Sequence, residues 1–331
     1  KSCWPEIAVR LKVMADLDIA ESRCPQDGRI SLKLGGRAVD FRIATQPTLH
    51  GENIVLRVLD RARLIVALDS LGLDEVQHAA LDRILARPEG LVLVTGPTGS
   101  GKTTTLYAIL SHLNREDVNI MTLEDPVEYP LPMIRQTQVG EASRLGFADG
   151  VRALLRQDPD IILVGEIRDL DTAEMALRAA LTGHRVFATV HANSALGAIP
   201  RLLDIGLRTD LLAGNLAGIL AQRLLRQLCP HCRQAEPASA AQCALLGVDA
   251  AAPPMLHHPV GCPACDFRGY HGRRAIVEVL PVDARLDDAI ASGASLASLR
   301  AAIERGTHRS LADQGVREVL AGNTSLAELM R

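Results

Sequence analysis

The stretch Gly96-Pro97-Thr98-Gly99-Ser100-Gly101-Lys102-Thr103-Thr104 constrains this chain more than any other. It fits G-x-x-x-x-G-K-[ST], with the apolar run Leu91-Val92-Leu93-Val94 before it and Thr104-Thr105-Leu106-Tyr107-Ala108-Ile109-Leu110 after it. Strand, glycine-rich turn and helix in that order are the context in which such a motif is a phosphate loop. Glycines let successive backbone N–H groups converge on phosphate oxygens, and the helix N-terminus adds the positive end of its dipole. Lys102 then reaches the β and γ phosphates, and the Thr103 hydroxyl ligates Mg²⁺. A turn that merely joined strand to helix would have no need of Lys-Thr at its end.

At 331 residues the chain exceeds what one core usually serves, so two or more domains are expected. A formal net charge of −3 argues against a nucleic-acid binder that relies on a broad basic face. No run approaches the roughly 18 apolar residues of a membrane span. Lys1 is not an initiator Met, and the start reads as the interior of a longer protein, with targeting or docking information upstream. Seven cysteines include two Cys-x-x-Cys pairs, which favours a reducing, cytoplasmic setting with metal rather than disulfides.

Residues 1–62 alternate short apolar runs with charges, as in Ile30-Ser31-Leu32-Lys33-Leu34 and Val39-Asp40-Phe41-Arg42-Ile43. Turn signals at Gln26-Asp27-Gly28, Gly35-Gly36 and His50-Gly51 predict a helix near 5–17 followed by a mostly antiparallel sheet. Arg42 and Arg57 fall inside strand patterns, where spacing alone reads them as solvated strand-face charges. Residues 63–74 read as a linker that would permit hinge motion, and helical periodicity then runs from Asp74 to Leu85.

Residues 75–226 read as an α/β core of repeated strand and helix. Val118-Asn119-Ile120-Met121-Thr122-Leu123 is a buried-strand run ending at Glu124, Ile161-Ile162-Leu163-Val164 delivers Gly165-Glu166, and Arg185-Val186-Phe187-Ala188-Thr189-Val190 delivers His191. Such alternation implies a parallel sheet, on which ligands gather at the carboxyl ends of strands. Lys102, Glu124, Glu166 and His191 are therefore expected along one edge. Hydrolysis of a γ-phosphate needs a base or polariser for water, a held metal and a group that senses the phosphate. Glu124 and Glu166 suit the first two tasks in either order, and His191 suits the third. The apolar strand ends in Gly165-Glu166 rather than the usual Asp, so Mg²⁺ can be held by Thr103 and waters with the carboxylates one shell out. His184 is as consistent with a structural hydrogen bond as with a catalytic one.

Cys229-Pro230-His231-Cys232 and Cys262-Pro263-Ala264-Cys265 form C-x₂-C…C-x₂-C. Each pair is a two-ligand knuckle, and four thiolates match a tetrahedral structural Zn²⁺ with no open position for catalysis. Residues 227–274 are read as this zinc subdomain, inserted before residues 275–331. The latter begin with a strand at Ala275-Ile276-Val277-Glu278-Val279-Leu280 and continue as short helices broken at Gly293, Gly306, Gly315 and Gly322. Cys3, Cys24 and Cys243 fall outside these two motifs.

With the phosphate loop, Glu124-Asp125-Pro126, Gly165-Glu166-Ile167-Arg168-Asp169, the His184–His191 stretch and the cysteine pairs on the page, nearly the whole chain resembles the secretion ATPases of type II secretion and type IV pilus assembly. The resemblance implies a RecA-like P-loop NTPase core behind an N-terminal sheet domain. It makes Thr122–Glu128 an Asp box, Ile161–Glu166 an atypical Walker B and Leu181–His191 a His box. It also implies that Arg42 and Arg57 reach the nucleotide phosphates. In that family a tetracysteine subdomain marks secretion and pilus-extension members and is lacking in retraction members. Cys24, and Thr307-His308-Arg309, depart from the family pattern.

The expected protein is thus an oligomeric motor, hexameric by the resemblance, that uses ATP and Mg²⁺, carries structural Zn²⁺ and drives an inner-membrane platform from the cytoplasmic side. No nucleic-acid partner is expected. Three alternatives stay open on the residues alone: a RecA-like nucleic-acid translocase, a nucleotide-gated scaffold without turnover, and a small-molecule kinase, for which no obvious acceptor pocket or lid can be pointed to.

Overall fold

The computed structural model describes residues 3–60, 67–140, 143–303 and 308–331, and the chain divides into two compact units, Lys1–Val66 and Ala67–Arg331. In the first unit, helix α1 (Trp4–Met14) starts at a proline in its first turn, with Glu6 near its positive end and Lys12 near its negative end. It stops earlier than the periodicity predicts because Asp16 adopts a left-handed φ of 57°. Strands β1 (Gln26–Leu34), β2 (Arg37–Thr48) and β3 (Gly51–Asp60) then form an antiparallel meander. Ala15, Ile30 and Ile43 make its small core. Lys12 is 1% exposed and is tolerated there because its Nζ lies 2.5 Å from the Glu52 carboxylate and donates to the Glu21 carbonyl at 2.7 Å.

The second unit opens with α2 (Glu75–Leu85), whose N-cap Asp74 and Gln77 satisfy each other's backbone N–H groups in a capping box. There follow β4 (Gly90–Thr95), α3 (Lys102–Leu113), β5 (Ile120–Glu124), β6 (Arg135–Gln138), α4 (Phe147–Leu154), β7 (Ile161–Val164), α5 (Leu170–Leu181), β8 (Arg185–Val190), α6 (Ala198–Asp204), α7 (Thr209–Leu212) and β9 (Leu216–Leu228). A small excursion, β10 (Gln234–Pro237), α8 (Ala240–Leu246) and β11 (Met255–His258), precedes β12 (Tyr270–Pro281) and helices α9 (Ala284–Ala291), α10 (Leu296–Ala302), α11 (Leu311–Leu320) and α12 (Leu326–Leu329).

The sheet order is β12-β9-β4-β8-β7-β5-β6, parallel throughout except for the antiparallel edge strand β12. Every residue of β4, β5 and β7 is buried, which is why these strands read as continuous apolar runs. Ala173, Ala176 and Ala180 of α5 close on Leu93, Val164 and Ala188 of the sheet.

The predicted break at Gly315 is not a break: the residue sits inside α11, and a Cβ there would fall 2.2 Å from Leu329 Cδ1, so glycine serves a close helix contact. Gly293 and Gly322 do end helices with positive φ, and Gly306 lies outside the described residues. No described helix is long and apolar enough to cross a membrane.

Candidate functional site

The loop between β4 and α3 is shaped by contacts that only glycine permits. A Cβ on Gly96 (φ 148°) would meet the Gln222 carbonyl oxygen at 2.5 Å, and one on Gly101 (φ 89°) would meet Gln222 Nε2 at 2.7 Å. Gln222, buried on the adjacent strand β9, also accepts a 2.5 Å hydrogen bond from Thr105 Oγ1 in α3, so one residue braces both ends of the loop, its backbone against Gly96 and its side chain against Gly101 and Thr105. Lys102 Nζ donates to the Gly96 and Pro97 carbonyls at 2.9 and 3.2 Å. Burial pushes its pKa down, with Glu166 opposing and Arg223 adding to the shift. Thr103 and Thr104 are half-buried in the first turn of α3.

The strand order places the ends of β4, β8, β7 and β5 side by side, and with them the phosphate loop, His191, Glu166 and Glu124. Glu166 is the hub. Its Oε1 lies 3.0 Å from His191 Nε2, and its Oε2 accepts from Arg168 at 2.7 and 2.8 Å, which holds the Arg168 guanidinium above its ordinary pKa. Thr95 Oγ1 ties the same edge together: it accepts from Ala192 N at 2.8 Å and donates to the Ala192 carbonyl at 3.2 Å.

Glu124 is brought to the edge by its backbone but turned inward by its side chain. The residue is 4% exposed; its carboxylate accepts from Thr122 Oγ1 at 2.7 Å, from Gln136 Nε2 at 3.0 Å and from the Tyr107 hydroxyl of α3. Burial first, and then the Glu124 charge, push the Tyr107 phenol far above its ordinary value and Tyr129 up to about 12. Tyr107 and Tyr129 pack edge to face at 4.7 Å. Asp169, in the same stretch as Glu166, is the N-cap of α5.

Two residues that sequence reasoning missed complete the edge. Gln222 and Arg223 lie on β9, whose Ala- and Leu-rich text carries no clean strand alternation. Arg223 donates to the Asn193 carbonyl and side-chain oxygen at 3.3 and 3.2 Å, and burial lowers its pKa.

His184 sits at the opposite end of β8 from His191, about 20 Å away at the usual rise per residue. Its Nδ1 lies 2.9 Å from the Ala179 carbonyl and 3.2 Å from Thr182 Oγ1, so it is a structural turn residue.

In the first unit, the strand register puts Arg29 opposite Arg42 and Arg42 opposite Arg57, a row of three guanidiniums across one face. Asp40 pairs with Arg29 at 3.4 Å. Among the described residues neither Arg42 nor Arg57 pairs with a carboxylate, and both line a cavity of about 220 Å³ with Asp27, Ala44 and Val55. Like charges facing one another across strands repel, which favours an anion between them.

The four cysteines converge. The Sγ atoms of Cys229, Cys232, Cys262 and Cys265 all lie within 4.8 Å of one another, and three of the pairs are separated by 3.8, 3.9 and 3.8 Å. A tetrahedron with Zn–S bonds of about 2.3 Å has edges of about 3.8 Å, so the donor set fits Zn²⁺. Backbone N–H groups of Gly261, Cys262 and Gly269 donate to these sulfurs at 3.2–3.3 Å, the hydrogen bonds a thiolate requires. Among the other cysteines, Cys3 and Cys24 are exposed and Cys243 is buried in an apolar cluster with Leu256, Val319 and Leu326.

The family described as "Type II/IV secretion system protein" matches residues 2–331. Type II secretion system protein E of Pseudomonas aeruginosa is 51% identical over 322 residues, covering 97% of this chain and 64% of that protein. Type II secretion system ATPase E of Vibrio cholerae is 50% identical over 322 residues, with 97% and 64% covered. The chain therefore spans just under two thirds of the length of these relatives. Among solved structures, the pilus retraction motor PilT with bound ADP superposes with a TM-score of 0.65 at 28% identity, over 93% of this chain and 77% of that one.

Proposed function

Because the chain belongs to the type II/IV secretion system protein family, we propose that it is the motor portion of an ATPase that hydrolyses ATP to drive pseudopilus or pilus assembly. The observation that carries this reading is the adjacency of four parallel strand ends, with Glu166 linked to His191 beside the lysine of a glycine-rich loop. In this reading Gly96, Pro97, Thr98, Gly99, Ser100 and Gly101 cradle the phosphates, Lys102 neutralises them, and Thr103 with Thr104 opens the helix at Mg²⁺. Glu166 takes the proton of the attacking water. His191, tethered to it, reads the γ-phosphate. Glu124 acts from beneath, fixing the segment after β5 through Tyr107 and Gln136. Arg42 and Arg57 add the positive charge that stabilises the transition state. An ADP-bound relative of the same fold supports the choice of nucleotide.

The tetracysteine cluster holds structural Zn²⁺ and sets the chain with assembly rather than retraction motors. The working form is a homo-oligomer, a hexamer in this reading. It acts from the cytoplasm on inner-membrane platform proteins, without a nucleic-acid partner.

Phosphate release from the purified protein with MgATP, with and without added DNA or RNA, tests the reading. Turnover indifferent to nucleic acid is expected. Stimulation by nucleic acid would point to a translocase, and binding without release to a nucleotide-gated scaffold.

A further inference from the structure

The segment 191–196 that follows β8 is pinned at four points. His191 meets Glu166, Ala192 meets Thr95, and Asn193 holds Arg223. The fourth pin comes from outside the nucleotide edge: Ala195 N donates to Glu278 Oε2 at 3.2 Å.

Glu278 is 3% exposed on β12, and its other oxygen lies 3.0 Å from His308 Nε2 in the C-terminal region. A carboxylate at that burial persists only when its oxygens have donors. Here one donor is the segment that carries His191 and the other is a residue some thirty positions downstream. Asn193, Ser194, Glu278, Arg300, His308 and Ser310 line a cavity of about 870 Å³, so the segment has space to shift once a pin is lost. The neighbouring residue Val277 is clasped separately: Gln77 of α2 donates to its carbonyl and Gln314 of α11 accepts from its N–H at 2.8 Å.

The geometry points to Glu278 as a positioning residue for hydrolysis: held by His308, it fixes the backbone of segment 191–196 and thereby keeps His191 on Glu166. This rests on the ATPase reading above. Glu278 touches no nucleotide; it acts through Ala195. The C-terminal region thus has a direct mechanical line to the edge where the γ-phosphate is read.

Removing the acceptor leaves the Ala195 N–H buried without a partner, and the segment relaxes towards the cavity. Displacement of a reacting group by about 1 Å can cost as much as about 10²-fold in rate. Nucleotide affinity depends on the phosphate loop, whose contacts are unchanged. The expected signature is a fall in kcat without a matching change in binding.

The experiment measures phosphate release against MgATP concentration, equilibrium binding of a non-hydrolysable ATP analogue, and melting temperature, for the wild type, Glu278→Leu, Glu278→Gln and His308→Ala. We expect Glu278→Leu to lower kcat by about tenfold or more, with analogue affinity within about twofold of wild type. Glu278→Gln should recover most of the rate, because a carboxamide oxygen accepts from Ala195 while its NH₂ donates to His308 in the other tautomer. His308→Ala, which leaves the Ala195 bond in place, should fall between them. Wild-type rates in Glu278→Leu would overturn the inference, as would equal loss in Glu278→Gln and Glu278→Leu. Should Glu278→Leu fail to fold, an unchanged kcat in His308→Ala overturns it instead. A wild-type protein that releases no phosphate would defeat the ATPase reading itself, a distinct outcome.

Discussion

The nucleotide edge and the cysteine cluster are both built from polar side chains gathered by the fold, yet they are constructed on opposite plans. At the cysteine cluster all four sulfurs face one another within 4.8 Å, and backbone N–H groups surround them. Such a site has no capacity left for a further ligand; its free energy goes into holding the chain. At the nucleotide edge Glu166, Lys102 and His191 keep donors or acceptors that the protein only partly uses. His191 is 47% exposed, and Lys102 spends two of its three N–H donors on the Gly96 and Pro97 carbonyls. A site meant to act must leave bonds to be made with what arrives, whereas a site meant to hold must leave none. Changes at the first should therefore alter turnover and spare stability, and changes at the second should do the reverse.

The largest effect is expected at the edge. Lys102→Ala should abolish tight MgATP binding and cut turnover on the order of 10³-fold, with little change in melting temperature. A lower melting temperature with normal turnover would break the contrast. Glu166→Gln is the sharper test, because it keeps size and one acceptor oxygen while removing the charge and the second acceptor. Turnover should fall about 10²-fold or more while nucleotide still binds, measured by phosphate release beside equilibrium binding. Unchanged turnover would take Glu166 out of the chemistry.

At the cluster, Cys262→Ser should release metal and lower stability by about 2 kcal/mol or more, while kcat per folded molecule stays within about twofold. Metal content, a melting curve and active-site titration decide it. If turnover collapses in molecules that remain folded, the cluster is not merely structural.

The smallest effect is a pH dependence in the same region. His257 Nδ1 is buried with no hydrogen-bond partner among the described residues. Burial first, then Arg233 and His258, hold its pKa below the ordinary 6.5. The unfolded chain therefore takes up a proton that the folded chain resists. His257 detracts nothing from stability above pH 6.5 and costs progressively more as pH falls through and below that value. Denaturant titrations at pH 7 and pH 5 should differ by no more than about 1 kcal/mol on its account. His257→Asn should flatten that slope; an unchanged slope would assign it to other groups.

How much was legible in advance varies between these regions for a physical reason. The phosphate loop and the cysteine knuckles are local: their residue types are dictated by geometry within a few residues, so spacing alone identifies them. The parallel core was legible because strands buried on both faces are continuously apolar, and Ile161–Val164 and Arg185–Val190 emerge at the expected positions. Strand β9 was not legible in this way. Leu216–Leu228 mixes Ala, Leu, Gln and Arg as a helix would, and only insertion beside β4 makes it a strand. Its contribution to the edge, Gln222 and Arg223, was missed with it. Gly315 misled for a related reason, since a glycine that admits a packed neighbour reads locally like one that ends a helix.

What the sequence determined by itself is the set of short-range devices: the phosphate loop with Lys102, the two knuckles, the caps and the order of strands and helices along the chain. Each is settled by sterics and hydrogen bonding among near neighbours. The tertiary structure alone decided which way each carboxylate faces. Glu124 and Glu166 end adjacent strands with similar text, but Tyr107 and Gln136 draw the first inward, and His191 with Arg168 holds the second, half-buried, at the edge. Glu278 is likewise an unremarked strand residue until Ala195 and His308 close on it. Those partners are distant in sequence, and a charge's environment in a low-dielectric interior is set by whatever the fold packs against it.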